Sequence, residues 1–256
     1  MSRRHLDFAC GGIELAGTLD EAPGASGLLI VSGGNETRAG AFSGQAQLAA
    51  RIAAAGHPVF RFDRRGVGDS EGQNLGFRGS AADIAAALEA FRAAAPHLSR
   101  VAGFGNCDAA SVLMLGSGAG FDALALANPW TLDNDHAAPP PAAIRARYGA
   151  KLRDPREWRR LFTGGVSLGK LAGGLVRAAG PAPAPTTLAQ EMKAGLARFA
   201  GPVEILLAGR DRTAQLFDAA WDSDDALIRR CPDATHAFAE PDAREWLIER
   251  VLAALA

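Results

Sequence analysis

Cysteine is scarce here, with only three in 256 residues. An odd and small number does not make a disulfide-stapled scaffold, and it suits a reducing compartment. No apolar stretch free of glycine and charge approaches the roughly 18–20 residues of a spanning helix, so none is expected. The opening MSRRHLDFACGGIELAG carries two arginines but no uninterrupted apolar run behind them. It is therefore read as lacking a signal peptide, and a cytoplasmic protein is expected. Charge of one sign is missing too. The formal net charge is −1, without the basic excess of a nucleic-acid binder. What is present, 48% hydrophobic and 21% charged residues, describes a soluble globular chain. The length suits one large α/β domain, or one domain with an insertion.

The near-neutral charge hides a split. All three lysines, Lys151, Lys170 and Lys193, fall between Thr131 and Ala200. That window holds 11 Lys and Arg against 5 Asp and Glu, a charge of +6, leaving −7 on the rest. It also contains Pro139-Pro140-Pro141, a second proline tract at 181–185 and a basic helical stretch, Pro155 to Arg177.

Outside this window, strand and helix signals alternate. His5–Ala9 and Ile13–Leu19 flank Gly11-Gly12 and read as a hairpin. Strands are expected at Leu28–Val31, Val59–Phe62, Arg100–Phe104, Leu124–Ala127, Val203–Ala208 and about Ala226–Arg230. Helices are expected at Gln45–Ala55, from a Ser80 cap to about Ala95, at Cys107–Leu115, at about Thr213–Trp221 and at Pro241–Leu255. The pattern predicts an α/β fold with a mostly parallel, doubly wound sheet and an antiparallel start. Residues 1–130 and 201–256 form the expected core. Residues 131–200 are the expected cap, inserted over the C-terminal edge of the sheet where ligands bind in such folds.

The stretch Gly105-Asn106-Cys107-Asp108-Ala109 sits between a strand and a helix, with small residues two before and two after Cys107. This is the layout of a nucleophile elbow. The turn lifts its central side chain above the sheet at a helix N-terminus, where free N–H groups and the helix dipole favour negative charge. A lone cysteine in such a place can also be merely a small buried hydrophobe. Two further residues fall in the chain order that an elbow nucleophile requires, acid and then histidine. Asp211 follows the strand Val203–Ala208, with Asp133 as the competing acid. His236 lies in the loop before the last helix, and the other four histidines have no partner in this pattern. After the strand Leu28–Val31, the Gly33-Gly34-Asn35 turn offers an oxyanion donor from Gly34 or Asn35, and the Asp108 N–H offers a second. The Asp108 carboxylate is expected to turn away from Cys107, since its charge would oppose a thiolate. Cys10 and Cys231 show no metal-ligand spacing, and the loop Gly66–Gly72 lacks the residues of a phosphate cradle. No metal or cofactor is expected.

These residues resemble those of an α/β-hydrolase over nearly the full length. Asp63-Arg64-Arg65-Gly66-Val67-Gly68-Asp69-Ser70 is similar to the D-x-R-G-x-G-x-S signature of many members. Together with Gly105–Ser111, it more narrowly resembles the first of two hydrolases associated with exosortase A gene clusters. Those bacterial loci serve exopolysaccharide production and PEP-CTERM protein sorting. The resemblance implies that cysteine is the natural nucleophile at the elbow. Two departures stand out: Ser32-Gly33-Gly34-Asn35 replaces a His-Gly after the strand, and Ala109 replaces the commoner glycine.

The implied function is hydrolysis of an ester, thioester or lactone through Cys107, His236 and Asp211 and an acyl-cysteine intermediate. Acyl transfer from the same intermediate, and a non-catalytic ligand-binding protein on the same fold, remain open. The expected partner is a small-molecule or carrier-bound acyl substrate. The basic cap is read as a mobile cover, as an attraction for an acidic substrate or as a contact with an anionic membrane surface.

Overall fold

The computed structural model describes residues 2–132, 186–221 and 226–256. Most of the expected cap, residues 133–185, lies outside the described residues, as does the competing acid Asp133. Among the described residues, an eight-stranded sheet has the order β1-β2-β4-β3-β5-β6-β7-β8. The strands are β1 (Ser2–Cys10), β2 (Ile13–Glu21), β3 (Ser26–Val31), β4 (Val59–Phe62), β5 (Arg100–Asn106), β6 (Ala123–Ala127), β7 (Val203–Ala208) and β8 (Ile228–Cys231). The hairpin β1–β2 and the β2–β4 pair are antiparallel, and every later pairing is parallel. The helices are α1 (Gly44–Ala54), α2 (Ala81–Ala94), α3 (Asp108–Leu115), α4 (Thr187–Leu196), α5 (Arg212–Ala220) and α6 (Pro241–Leu255). This is an α/β-hydrolase fold.

The period-2 geometry of a strand divides the core in two. Leu29 and Val31 of β3, with Leu124 and Leu126 of β6, face the layer built by α2, α3, α4 and α5. Leu28 and Ile30, with Ala123, Ala125 and Ala127, face α1 and α6. Alanine on one face of β6 and leucine on the other lets α6 approach the sheet closely while the opposite face is filled by side chains. Both faces are buried, so these strands read as continuous apolar runs rather than as alternation.

Local chemistry departs from expectation in two places. Ser80 precedes α2 but makes no side-chain cap; its hydroxyl instead donates to the Phe77 carbonyl at 2.6 Å. The preceding short 3-10 turn, Phe77–Gly79, captures the hydroxyl before the helix can use it. Helix α4 lies within the expected cap segment, yet Leu188 and Met192 are buried in the main core. Among the described residues, no helix is long and apolar enough to cross a membrane.

Candidate active site

Strand β5 ends at Asn106 and helix α3 begins at Asp108, leaving Cys107 alone at the turn with φ 62° and ψ −127°. A residue with a Cβ is strained there, at an order of about 1–3 kcal/mol, and is held only by its surroundings. Backbone bonds supply that hold. The Cys107 N–H donates to the Ala127 carbonyl at 3.0 Å, and its carbonyl accepts the Ser111 and Trp130 N–H groups, both at 3.3 Å. A Cβ on Gly105 would come within 2.7 Å of the Ala109 carbonyl carbon, so the tight turn itself demands glycine there. Cys107 is partly exposed at the C-terminal edge of the sheet, with the first N–H groups of α3 beside it.

The other two elements of the expected triad converge on it. Asp211 is the N-cap of α5, and its Oδ2 accepts the Ala214 N–H at 3.0 Å. The same oxygen lies 2.9 Å from His236 Nδ1. Asp211 is buried, whereas His236 is 38% exposed and so open to a reactant. Hydrogen bonds to Asp211 and then to Cys107 push the His236 pKa from 6.5 up to about 10, against the opposing effect of burial. With Nδ1–H committed to Asp211, Nε2 is the nitrogen left for the sulfur.

Two asparagines, not singled out from sequence, hold the histidine loop. Asn106 Nδ2 and Asn128 Nδ2 donate to the His236 carbonyl at 3.0 and 3.1 Å. Asn128 is fully buried; it also donates to Asn106 Oδ1 and accepts the Ala208 N–H at 2.8 Å. Its signal in the sequence is a polar residue standing directly after the apolar strand ALALA. Asn128→Ala strands the Ala208 N–H, takes the donor from Asn106 Oδ1 and leaves the His236 carbonyl with Asn106 alone of its two amide donors. The expected loss is about 1–3 kcal/mol of stability, read as a lower midpoint in thermal unfolding; an unchanged midpoint would contradict this role.

The expected oxyanion residues lie on the loop after β3. Asn35 is exposed, and its Oδ1 accepts from Asn74 Nδ2 at 2.8 Å. The Gly34 N–H donates to Asp108 Oδ1 at 2.7 Å. The Asp108 carboxylate is thus drawn onto the Gly33–Gly34 turn, and a Cβ on Gly33 would strike the Asn106 carbonyl at 2.4 Å. The turn therefore packs directly against the elbow.

Residues of the glycine-rich signature secure the same loop. Asp63 is fully buried and accepts the Arg38 N–H at 2.5 Å, the Asp69 N–H at 3.0 Å and the Arg38 guanidinium. Its neighbour Arg64 donates to the Gly34 carbonyl. The signature thus acts as a brace, and its carboxylate takes up N–H groups internally. Among the described residues, no three His, Cys, Asp or Glu side chains gather as a metal-binding group.

Comparison with known proteins agrees with this architecture. The solved structure of the Pyrococcus furiosus esterase Pf2001 is 14% identical, with 99% of this chain and 89% of that one covered and a TM-score of 0.60. XC6422 from Xanthomonas campestris, a serine hydrolase without a lid, is 16% identical over 100% and 96% of the two chains, with a TM-score of 0.61. The hydrolase GrgF from Penicillium sp. sh18 is 16% identical over 100% and 98%, with a TM-score of 0.62. At these identities the likeness concerns the fold. No curated protein matches the sequence. The alpha/beta hydrolase family, however, matches residues 28–250, and the chain belongs to that family.

Proposed function

We propose that the protein is a cysteine-dependent acyl hydrolase acting on an ester, thioester or lactone. The observation that carries this reading is the convergence of Cys107, at a strained strand-to-helix turn, with a His236 whose Nδ1 lies 2.9 Å from the buried Asp211. His236 takes the proton of the Cys107 thiol, and the sulfur attacks the acyl carbonyl carbon. The carbonyl π electrons move onto oxygen, where the Asp108 N–H and an N–H of Gly34 or Asn35 receive them. As the tetrahedral species collapses, the bond to the leaving group breaks and His236 returns the proton to that group. Water, deprotonated by His236, then attacks the acyl-cysteine; the acid leaves and the thiol is restored. Asp211 keeps the imidazole oriented and stabilises its protonated form.

Esters, thioesters and lactones suit this machinery because their leaving groups need little help from an acid, unlike amides. The resemblance of Asp63–Ser70 and Gly105–Ser111 to the hydrolases of exosortase A gene clusters supports an acyl substrate from exopolysaccharide metabolism, either free or borne on a carrier. The test is to mix the protein with p-nitrophenyl butyrate and with a butyryl thioester, quench rapidly and weigh it intact. A butyryl adduct that maps to Cys107 and decays as butyrate appears is expected. Turnover without an adduct, or an adduct on another residue, would reject the proposal.

A further inference from the structure

The Asp108 carboxylate is engaged on a group that the reaction would use. Its Oδ1 holds the Gly34 N–H at 2.7 Å, while its Oδ2 stands 3.7 Å from Arg64 Nη2, beyond hydrogen-bonding range. The Arg64 side chain is only 5% exposed. Its Nη2 donates to the Gly34 carbonyl, but its Nη1 is buried and has no hydrogen-bond partner among the described residues. A buried guanidinium ordinarily has all its donors satisfied, so the unpartnered Nη1, on a guanidinium whose Nη2 is the nitrogen 3.7 Å from a carboxylate, calls for an account. The carboxylate belongs to the residue that directly follows Cys107 in the chain.

We propose that Asp108 is a carboxylate latch on the Gly34 oxyanion donor and that Arg64 Nη1 is its alternative partner. This rests on Cys107 being the nucleophile. When a tetrahedral oxyanion forms on the carbon bonded to Cys107, that oxygen takes the Gly34 N–H. The Asp108 carboxylate then turns onto Arg64. The Gly34 donor keeps an anionic acceptor throughout, Asp108 exchanges a backbone donor for a guanidinium donor, and the unmet Arg64 N–H becomes satisfied. No proton moves in the exchange. A product carboxylate meets a site already filled by a carboxylate, so the latch favours its release. Asp108 and Arg64 are thus positioning residues that tune access to the oxyanion site.

A short-chain alkyl trifluoromethyl ketone tests this without requiring turnover. The thiol sulfur bonds to the ketone carbon, the π electrons move to oxygen, and the thiol proton passes to His236. A crystal structure of the wild-type adduct should place the adduct oxygen on the Gly34 N–H and Asp108 on Arg64 Nη1. Asp108 still on Gly34, with the adduct oxygen held elsewhere, would overturn the latch. The ketone's affinity, measured as protection of Cys107 from iodoacetamide, should tighten about tenfold in Asp108→Ala and weaken about tenfold in Arg64→Lys. Affinities unchanged within about twofold in both variants would leave Asp108 a fixed strut and overturn the latch as well. Failure of the wild type to form any adduct on Cys107, read by intact mass, would instead overturn the nucleophile and the latch with it.

Discussion

Cys107→Ala is expected to lower kcat/KM for activated butyryl esters and thioesters by about 10⁴-fold or more, because groups that act as a unit lose nearly everything when the nucleophile goes. Its fold should survive, since backbone bonds to Ala127, Ser111 and Trp130 secure the turn without the sulfur. Retention of wild-type activity would refute the mechanism. The same variant has a second readout at His236, whose pKa is raised to about 10 first by Asp211 and then by Cys107. In an NMR titration the imidazole should lose its proton near 10 in the wild type, closer to 6.5 in Cys107→Ala, and closer still in Asp211→Asn. The folded-state value lies above the unfolded one. Protonation of His236 therefore contributes stability that is fully present below 6.5 and is lost as pH rises through about 10.

Asp63→Ala should cause the largest loss of stability among single substitutions near the site. Asp63 is fully buried and takes the Arg38 guanidinium and the backbone N–H groups of Arg38 and Asp69. Arg38 retains the Thr18 hydroxyl at 3.0 Å and, among its carboxylate partners in the described residues, only the 73% exposed Asp69, so a largely buried charge loses its main counterion. Breaking a buried pair from one side typically costs about 3–5 kcal/mol. For a chain of this size that corresponds to a midpoint lower by about 10 °C. Activity should fall as well, because the segment carrying Gly34 and Arg38 loses its anchor. Asp63→Asn keeps one acceptor oxygen and should fall between the two. A thermal midpoint for Asp63→Ala within about 2 °C of wild type would show that the brace contributes little.

Much of the framework was legible because strand and helix periods leave direct traces. Val59–Phe62, Val203–Ala208 and Pro241–Leu255 occupy the spans that their apolar runs and flanking breakers indicate. Errors lie at ends, where pairing extends strands beyond their apolar residues. The strand β5 continues through Gly105 and Asn106 because β3 and β6 pair with it to that point. The hairpin is longer than expected because Arg3 and Arg4 of β1 keep pairing beyond its apolar residues, opposite Asp20 and Leu19. Helix α4 escaped the alternating pattern because proline and glycine dominate the preceding sequence, yet its Leu188 and Met192 are core residues.

For the candidate site, the sequence by itself offered Cys107, then Asp211 with Asp133 as its competitor, then His236, in the order an elbow nucleophile requires. Small residues about the elbow, a carboxylate after a strand and a histidine before the last helix are chemical requirements written in local spacing. Only the tertiary structure decided which partners these groups keep. It joined Asp211 to His236 across 25 residues, and joined Asn128 to the His236 carbonyl across 108. It also turned the Asp108 carboxylate onto Gly34, 74 residues away, and left Arg64 Nη1 without a hydrogen-bond partner among the described residues. Hydrogen-bond partners such as these are set by the packing of loops from separate strands, and no period or spacing along the chain encodes them. The scarcity of cysteine is visible in the sequence; the geometry that sets Cys107 apart from Cys10 and Cys231 belongs to the fold.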